Sequence, residues 1–138
     1  MSITQGIVEN SARTAIAFIT EWFYRTYDTE RHKLCRFYRP ESQVFFNGNR
    51  YAGEAIDAFF KDLPRSQHTV LTIDCQPVMA APPQGDLPSA IMVVATGQVS
   101  YGNDAQKPFT ENFLMVQDPQ GQAGQFYIIS DNFRMVNN

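Results

Sequence analysis

The stretch that most constrains the fold of this chain is QFYIISDNFRMV, at residues 125–136. Its β-branched and aromatic residues favour a strand in a pleated sheet. Because side chains alternate between the faces of a strand, the odd positions, including Tyr127 and Ile129, form an apolar face that Asp131 interrupts. The even positions mix apolar and polar groups around Arg134. We expect a core on one face and a protein partner on the other, because burying an unpaired arginine in a core is costly.

Three more strands are predicted before this one, at residues 68–78, 89–101 and 107–117, where apolar and polar residues alternate. In the first of them, Leu71 is expected to lie on the same face as Ile73. Turn-forming residues separate the strands, so each is expected to pair antiparallel with the next.

The N-terminal half of the chain is predicted to be mainly helical. Apolar residues recur at helical spacing over residues 3–27, with Trp22 on the apolar side, and again over residues 53–63. A short helix is expected at residues 30–38 and a short strand at residues 43–47. The predicted fold class is therefore α+β, with three N-terminal helices on one face of a curved, mainly antiparallel sheet. The short helix carries a basic run that we interpret as a solvated face: Arg31, His32, Lys33 and Arg36.

Length and composition indicate an ordinary globular protein. A chain of 138 residues suits one domain spanning residues 1–138. Its net charge of −3 provides no general attraction to nucleic acid or to an anionic membrane. Residues 1–20 contain no uninterrupted apolar run, so neither a secretory signal nor a membrane span is expected. Cys35 and Cys75 lack a metal-binding spacing, which favours buried thiols in a reducing compartment such as the cytosol or nucleus.

Most enzymatic motifs are absent from the sequence. It contains no glycine-rich phosphate loop. His32 and His68 are far apart and have no carboxylate at a metal-ligand spacing, so no metal or cofactor is predicted. The remaining route to catalysis is a buried carboxylate, either Glu111 or Asp131, with a raised pKa in a pocket. We favour the simpler interpretation that both accept hydrogen bonds from backbone donors or tyrosine hydroxyls at the edge of the sheet, which predicts a protein that is not an enzyme.

The second face of the predicted sheet mixes polar and apolar side chains across four strands. Such a surface suits pairing with another sheet better than exposure to water. The candidate interface residues are Asp74, Gln76, Val94, Thr96, Gln98, Asn112, Leu114, Asn132 and Arg134.

Five short strings, taken in order with the pattern of helices and strands, carry a family resemblance. They are FFNGN at 45–49, FFKDLPRS at 59–66, DCQPV at 74–78, ENFLM at 111–115 and SDNFRM at 130–135. Over essentially its whole length the chain resembles the nuclear transport factor 2-like superfamily. Within that superfamily it is most similar to the nuclear transport factor 2-related export proteins, the small subunits of the messenger RNA export receptor.

This resemblance implies a non-catalytic subunit that pairs sheet to sheet with a homologous domain of the large export receptor subunit. The heterodimer would bind phenylalanine–glycine repeats of nuclear pore proteins, mainly through the partner's domain, and export messenger RNA. The chain would shuttle between nucleus and cytoplasm, contact RNA only within the complex and insert into no membrane. Arg134 is expected to meet an acidic residue of the partner.

Two other classes remain as alternatives. The first is a homodimeric import factor for the small GTPase Ran, a branch with acidic residues where this chain has Asn47 and Gly102. Those differences weigh against Ran import, although Asp104 keeps part of the pattern. The second is a small cavity enzyme of the isomerase or dehydratase type. The isomerase branch places its catalytic base near Asn47, and an amide has no useful basicity there.

Overall fold

A six-stranded mixed sheet organises the molecule, and helical segments pack on one of its faces. The computed structural model describes residues 4–79, 85–119, 121 and 125–136. The strands are β1 (Tyr38–Phe46), β2 (Asn49–Ala52), β3 (Ser66–Val78), β4 (Ala90–Tyr101), β5 (Lys107–Gln117) and β6 (Phe126–Met135). Their order across the sheet is β2-β1-β6-β5-β4-β3. The predicted α+β class is confirmed.

The antiparallel run of four strands is also confirmed, since β3 pairs with β4, β4 with β5 and β5 with β6. Strand β6 also pairs parallel with β1, and this pairing connects the four-strand run to the strands of the N-terminal half. Strand β1 begins at Tyr38, earlier than predicted, and an irregularity between Tyr38 and Gln43 accommodates Pro40. The short strand β2 was not predicted. It follows β1 through a tight turn in which Asn47 and Gly48 both have positive φ angles, 50° and 90°.

The predicted first helix is confirmed as one helical path. It consists of α1 (Gln5–Ala17), a π-helical segment (Phe18–Phe23) and α2 (Tyr24–Thr29). The Thr4 side chain accepts a hydrogen bond from the Ile7 N–H at 3.2 Å and so caps α1. Ile3, which the prediction included, lies outside the described residues. The predicted second helix is a 3₁₀ helix (Arg31–Phe37), and the third is α3 (Glu54–Asp62). Within the described residues, no helix is long and apolar enough to cross a membrane.

The π-helical segment corrects one sequence prediction. Trp22 was expected on the buried side of the helix, but its side chain is 52% exposed. A π turn holds more residues than an α turn, so it shifts the phase of the residues that follow. Phe23, Tyr24 and Tyr27 therefore lie in the core, where the Phe23 and Phe113 rings pack edge to face with centroids 4.9 Å apart.

Two β-bulges correct the predicted faces of residues in β6 and β3. In β6, Ile129 has no partner between the Leu114–Ser130 and Met115–Ile128 pairs. Ile128 is consequently in the core, and the predicted core assignments of Tyr127 and Ile129 are wrong, since both are only partly buried. A strict two-residue alternation cannot anticipate the extra residue of a bulge.

In β3, Leu71 is the extra residue, lying between the Val70–Gly97 and Thr72–Thr96 pairs. Its side chain is 64% exposed, so the prediction that it faces the core with Ile73 is wrong. Gly97 permits the close approach of the two strands, because a Cβ at that position would collide with the carbonyl oxygen of Thr69.

Candidate partner-binding face

The nine predicted interface residues lie together on the face of the sheet that the helices leave uncovered. One row runs across four strands, from Asp74 through Val94 and Asn112 to Asn132. None of the nine side chains is buried, whereas the residues that alternate with them, such as Val93 and Phe113, belong to the core. We call this set of nine residues on β3–β6 the open face.

Further exposed side chains extend the open face. Met92 lies between Gln76 and Leu114, and Thr110 lies between Thr96 and Arg134. Both are exposed, and the alternation of their strands contains enough information to place them there. Leu71 is the other addition, and only the presence of Gly97 in the neighbouring strand hints at the bulge that exposes it.

Two opposite charges stand on the open face without partners. The side chain of Arg134 is exposed on β6 and makes no hydrogen bond or ion pair with any described residue, and the same holds for the side chain of Asp74 on β3. Strands β4 and β5 separate them, so their strand axes are about 14 Å apart at the usual spacing between strands. The two side chains therefore do not neutralise each other within one chain.

The open face is polar at its centre and apolar near one edge. The side chains of Asn112 and Asn132 lie directly opposite each other on β5 and β6, and both are exposed. The hydroxyls of Thr72 and Thr96 are hydrogen bonded across β3 and β4. Towards the β3 edge, a hollow of about 140 Å³ is lined by Asp74, Cys75, Gln76, Met92 and Val94. Such a mixture of amides, hydroxyls and apolar groups is typical of protein interfaces.

Asn47, which resemblance places where the other branches have an acid, has a structural role in this chain. Its side-chain oxygen accepts a hydrogen bond from the Met135 N–H at 2.8 Å. Its own backbone N–H donates to the Phe133 carbonyl at 2.9 Å. The amide thus fixes the β1–β2 turn against the end of β6, close to Arg134.

The two candidate catalytic carboxyls are enclosed in the core. Glu111 is 2% exposed and Asp131 is 0% exposed, so neither reaches solvent. The Tyr24 hydroxyl donates to Glu111 Oε1 at 2.8 Å, and the Tyr38 hydroxyl donates to Asp131 Oδ2 at 2.6 Å. The predicted tyrosine partners are confirmed, but their predicted place at the sheet edge is wrong. Burial raises the pKa of both carboxyls above the ordinary values for Glu and Asp.

His68 has a carboxylate partner that is distant from it in the sequence. Its Nδ1 lies 2.7 Å from Oδ1 of Asp28, whose Oδ2 accepts the His68 backbone N–H at 2.8 Å. The His68 ring is packed against Tyr24, Tyr27 and Phe109 and its side chain is fully buried. The pair escapes sequence analysis because forty positions separate its members. Across the described ranges, no three His, Cys, Asp or Glu side chains are grouped to hold a metal ion.

The predicted basic face of the short helix is also corrected. Arg31 points inwards, where its guanidinium donates to the carbonyls of Tyr27, Phe60 and Pro64 at 2.7, 2.9 and 2.8 Å. The other members of the run remain exposed: His32, Lys33 and Arg36. The thiol prediction is wrong for Cys35, which is exposed, while Cys75 is partly buried and both are free thiols.

Comparison with known proteins gives consistent matches. The family model for the nuclear transport factor 2 (NTF2) domain matches residues 17–135. NTF2-related export protein 2 of Mus musculus is 34% identical over 128 residues, which cover 92% of this chain and 88% of that protein. The solved structure of nuclear transport factor 2 from Cryptosporidium parvum superimposes with a TM-score of 0.77 at 25% identity, covering 98% of this chain and 100% of that one.

A further solved structure shares the fold. A chain of the Chaetomium Mex67:Mtr2 subunits superimposes with a TM-score of 0.72 at 17% identity, covering 91% of this chain and 97% of that one. The match to the family model and the similarity to the mouse export protein establish the family. This chain belongs to the nuclear transport factor 2 family, and the relatives that it resembles include NTF2-related export proteins.

Proposed function

We propose that this chain is the small, non-catalytic subunit of a messenger RNA export receptor. It pairs through the open face with the homologous domain of the large subunit. The observation that carries this proposal is the exposed, mixed surface of β3–β6, on which the side chains of Asp74 and Arg134 have no partner among the described residues. The similarity to an NTF2-related export protein of mouse supports the export branch of the family.

The chemistry of the open face specifies the partner. A sheet that covers it must bring an acid to Arg134 and a base or hydrogen-bond donors to Asp74, because an unpaired charge is costly once water is excluded. It must also supply hydrogen-bonding groups for Asn112 and Asn132 and an apolar surface for Leu71 and Met92. A second domain of the same fold can meet all of these requirements with its own sheet.

The cellular role follows from the resemblance. Residues 1–138 act as one domain, and the heterodimer binds phenylalanine–glycine repeats of nuclear pore proteins and shuttles between nucleus and cytoplasm. RNA contacts belong to the assembled complex, since the net charge is −3 and Arg31 points inwards instead of adding to the exposed basic run of its helix.

The first test is the mass of the chain in solution, measured by light scattering. The chain is produced alone and together with the corresponding domain of the large export receptor subunit. A stable one-to-one complex, with a polydisperse or poorly soluble lone chain, is the expected result. A monodisperse homodimer that ignores the partner domain would overturn the proposal.

A homodimeric transport factor is the second candidate, and one observation favours it. Asp74 and Arg134 lie on the same face with opposite charges, so two copies related by a two-fold axis along the strands can bring Asp74 of one near Arg134 of the other. The relative from Cryptosporidium parvum is itself a nuclear transport factor 2. The light-scattering experiment separates this candidate from the heterodimer.

A further inference from the structure

Two hydrogen-bonded pairs of side chains, Tyr24 with Glu111 and Tyr38 with Asp131, lie in the core beneath the open face. Glu111 on β5 and Asp131 on β6 point to the buried side, immediately next to Asn112 and Asn132 on the exposed side. We propose that Glu111 and Asp131 share one proton in the folded protein, with the carboxyl group of Glu111 donating to Oδ1 of Asp131. This proton site is separate from the pairing function.

Each of the two carboxyl groups accepts a hydrogen bond from a tyrosine hydroxyl. The Tyr24 hydroxyl, from α2, donates to Glu111 at 2.8 Å, and the Tyr38 hydroxyl, from β1, donates to Asp131 Oδ2 at 2.6 Å. Burial raises the pKa of both tyrosines well above the ordinary value, so both hydroxyls keep their protons and act as donors at neutral pH. Each carboxyl therefore accepts one hydrogen bond from a neutral group.

Between the two carboxyl groups, one buried oxygen has no hydrogen-bond donor. Oδ1 of Asp131 is buried, and no N–H or hydroxyl group of a described residue donates to it. Glu111 and Asp131 are diagonal neighbours on the buried face of β5 and β6, because Glu111 pairs with Phe133 and Asp131 pairs with Phe113. A carboxylic acid can donate to a carboxylate, whereas two carboxylates can only accept. A proton on one of them satisfies the oxygen that otherwise has no partner.

Electrostatics requires the same proton. Among the described residues, no lysine, arginine or histidine forms an ion pair with either carboxyl. Two ionised carboxylates side by side in an apolar core would carry both the cost of burial and mutual repulsion. Tyr24 and Tyr38 contact the pair directly. The titratable and charged groups beyond them, which contact Tyr24 or one another, are His68, Tyr27, Tyr101, Arg31 and Asp28. Nδ1 of His68 faces Asp28, and Arg31 donates to backbone carbonyls.

The shared proton resides on Glu111. Burial raises the pKa of Glu111 well above its usual range, and the charge of Asp131 raises it further. Burial also raises the pKa of Asp131, but hydrogen bonds from Glu111 and Tyr38 lower it in part. The pair then carries one negative charge, spread over a hydrogen-bonded chain that joins α2, β5, β6 and β1.

This arrangement makes folding take up a proton at neutral pH. In the unfolded chain Glu111 is ionised above about pH 5, whereas in the folded chain it remains protonated. The contribution of the pair to stability is therefore complete below the unfolded pKa and declines as the pH rises towards the folded pKa. The folding equilibrium constant falls by up to about tenfold per pH unit over that interval.

The decisive variant is Glu111→Gln, which keeps a donor to Asp131 and an acceptor for Tyr24 but cannot titrate. Urea unfolding is measured from about pH 6 to about pH 9 for the wild type, for this variant and for Glu54→Gln, an exposed control on α3. We expect the ratio of the wild-type to the Glu111→Gln folding constant to fall steadily with pH, by up to about tenfold per unit. The ratio of the wild-type folding constant to that of Glu54→Gln should not change with pH. Parallel pH dependence of the wild type and Glu111→Gln would overturn the proposal.

An infrared measurement on the wild type keeps the test valid even if Glu111→Gln does not fold. A protonated carboxyl group has a C=O stretching band that ionised carboxylates lack. The folded protein at neutral pH is expected to show this band and to lose it on unfolding at the same pH. A folded wild type without the band would refute the shared proton.

Discussion

At the scale of single residues, two arginines have opposite roles. Arg31 donates to carbonyls of Tyr27, Phe60 and Pro64, whereas Arg134 stays exposed and has no partner among the described residues. The inward role of Arg31 could not be predicted from the sequence, because two of its acceptors are backbone groups about thirty positions away. The alternation of polar and apolar residues in β6 was sufficient to place Arg134 on the open face.

Replacement of Arg134 by alanine is expected to weaken pairing while the chain still folds. Losing one member of a desolvated charge pair costs about 2–5 kcal/mol at an interface. Affinity for the large-subunit domain, measured by calorimetry, should therefore fall by at least tenfold. Arg25→Ala, on the exposed side of α2, is the matched control and should leave the affinity unchanged. Equal affinities of the two variants for the partner would show that Arg134 does not contribute to the interface.

Leu71 provides a second residue-scale prediction. Because its side chain is 64% exposed, Leu71→Ser should change the free energy of unfolding of the lone chain by no more than about 0.5 kcal/mol. It should nevertheless reduce affinity for the partner, since an exposed leucine beside an interface gains by being covered. Urea unfolding and calorimetry on the same preparation separate the two effects. A large loss of stability without loss of affinity would assign Leu71 to folding.

At the scale of elements, Arg31 joins the 3₁₀ helix to the end of α3. Arg31→Ala removes charged hydrogen bonds to the Phe60 and Pro64 carbonyls, and a destabilisation of roughly 2–4 kcal/mol is expected from urea unfolding. Arg31→Lys should not restore it, because an ammonium group cannot reproduce the planar fork of a guanidinium. Arg36→Ala, on the exposed side of the same helix, is the control and should remain near the wild type.

The elements also indicate how far sequence analysis could go. Strands β3 to β6 and helices α1 and α3 were predicted because their apolar residues repeat at the period of the structure. The failures occur where that period is interrupted. The bulges at Leu71 and Ile129 and the π turn before Phe23 each insert residues that change the face of their neighbours. Strand β2 has only four residues, too few for a periodic signal.

The sequence was sufficient to predict where the candidate site lies, but the predicted set of residues was incomplete. All nine residues of the open face were placed by alternation, whereas Leu71 required knowledge of the bulge and its partner Gly97. The pairing of Asp28 with His68 was not predictable, because it joins the end of α2 to β3 through three-dimensional contact alone. The tyrosine partners of Glu111 and Asp131 were anticipated as a class but not by position.

At the scale of the whole molecule, pairing and folding are linked. A partner that binds only the folded chain adds about 2.7 kcal/mol to its stability when present at one hundred times the dissociation constant. The urea midpoint of the chain should therefore rise with the concentration of the large-subunit domain. A midpoint that does not change at saturating partner would contradict pairing with the folded state.

The central position of β6 has a consequence for synthesis of the chain. Strand β6 follows all the other described strands in sequence, yet it lies between β1 and β5 in the sheet. Phe46 of β1, for example, pairs with Phe133 of β6. Until β6 leaves the ribosome, the β1–β2 hairpin and the β3–β5 meander have no strand to connect them, and the edges of both are open to other chains. A ribosome that stops before β6 therefore releases a chain whose sheet is in two separate parts, so this domain can complete its sheet only after β6 has been translated.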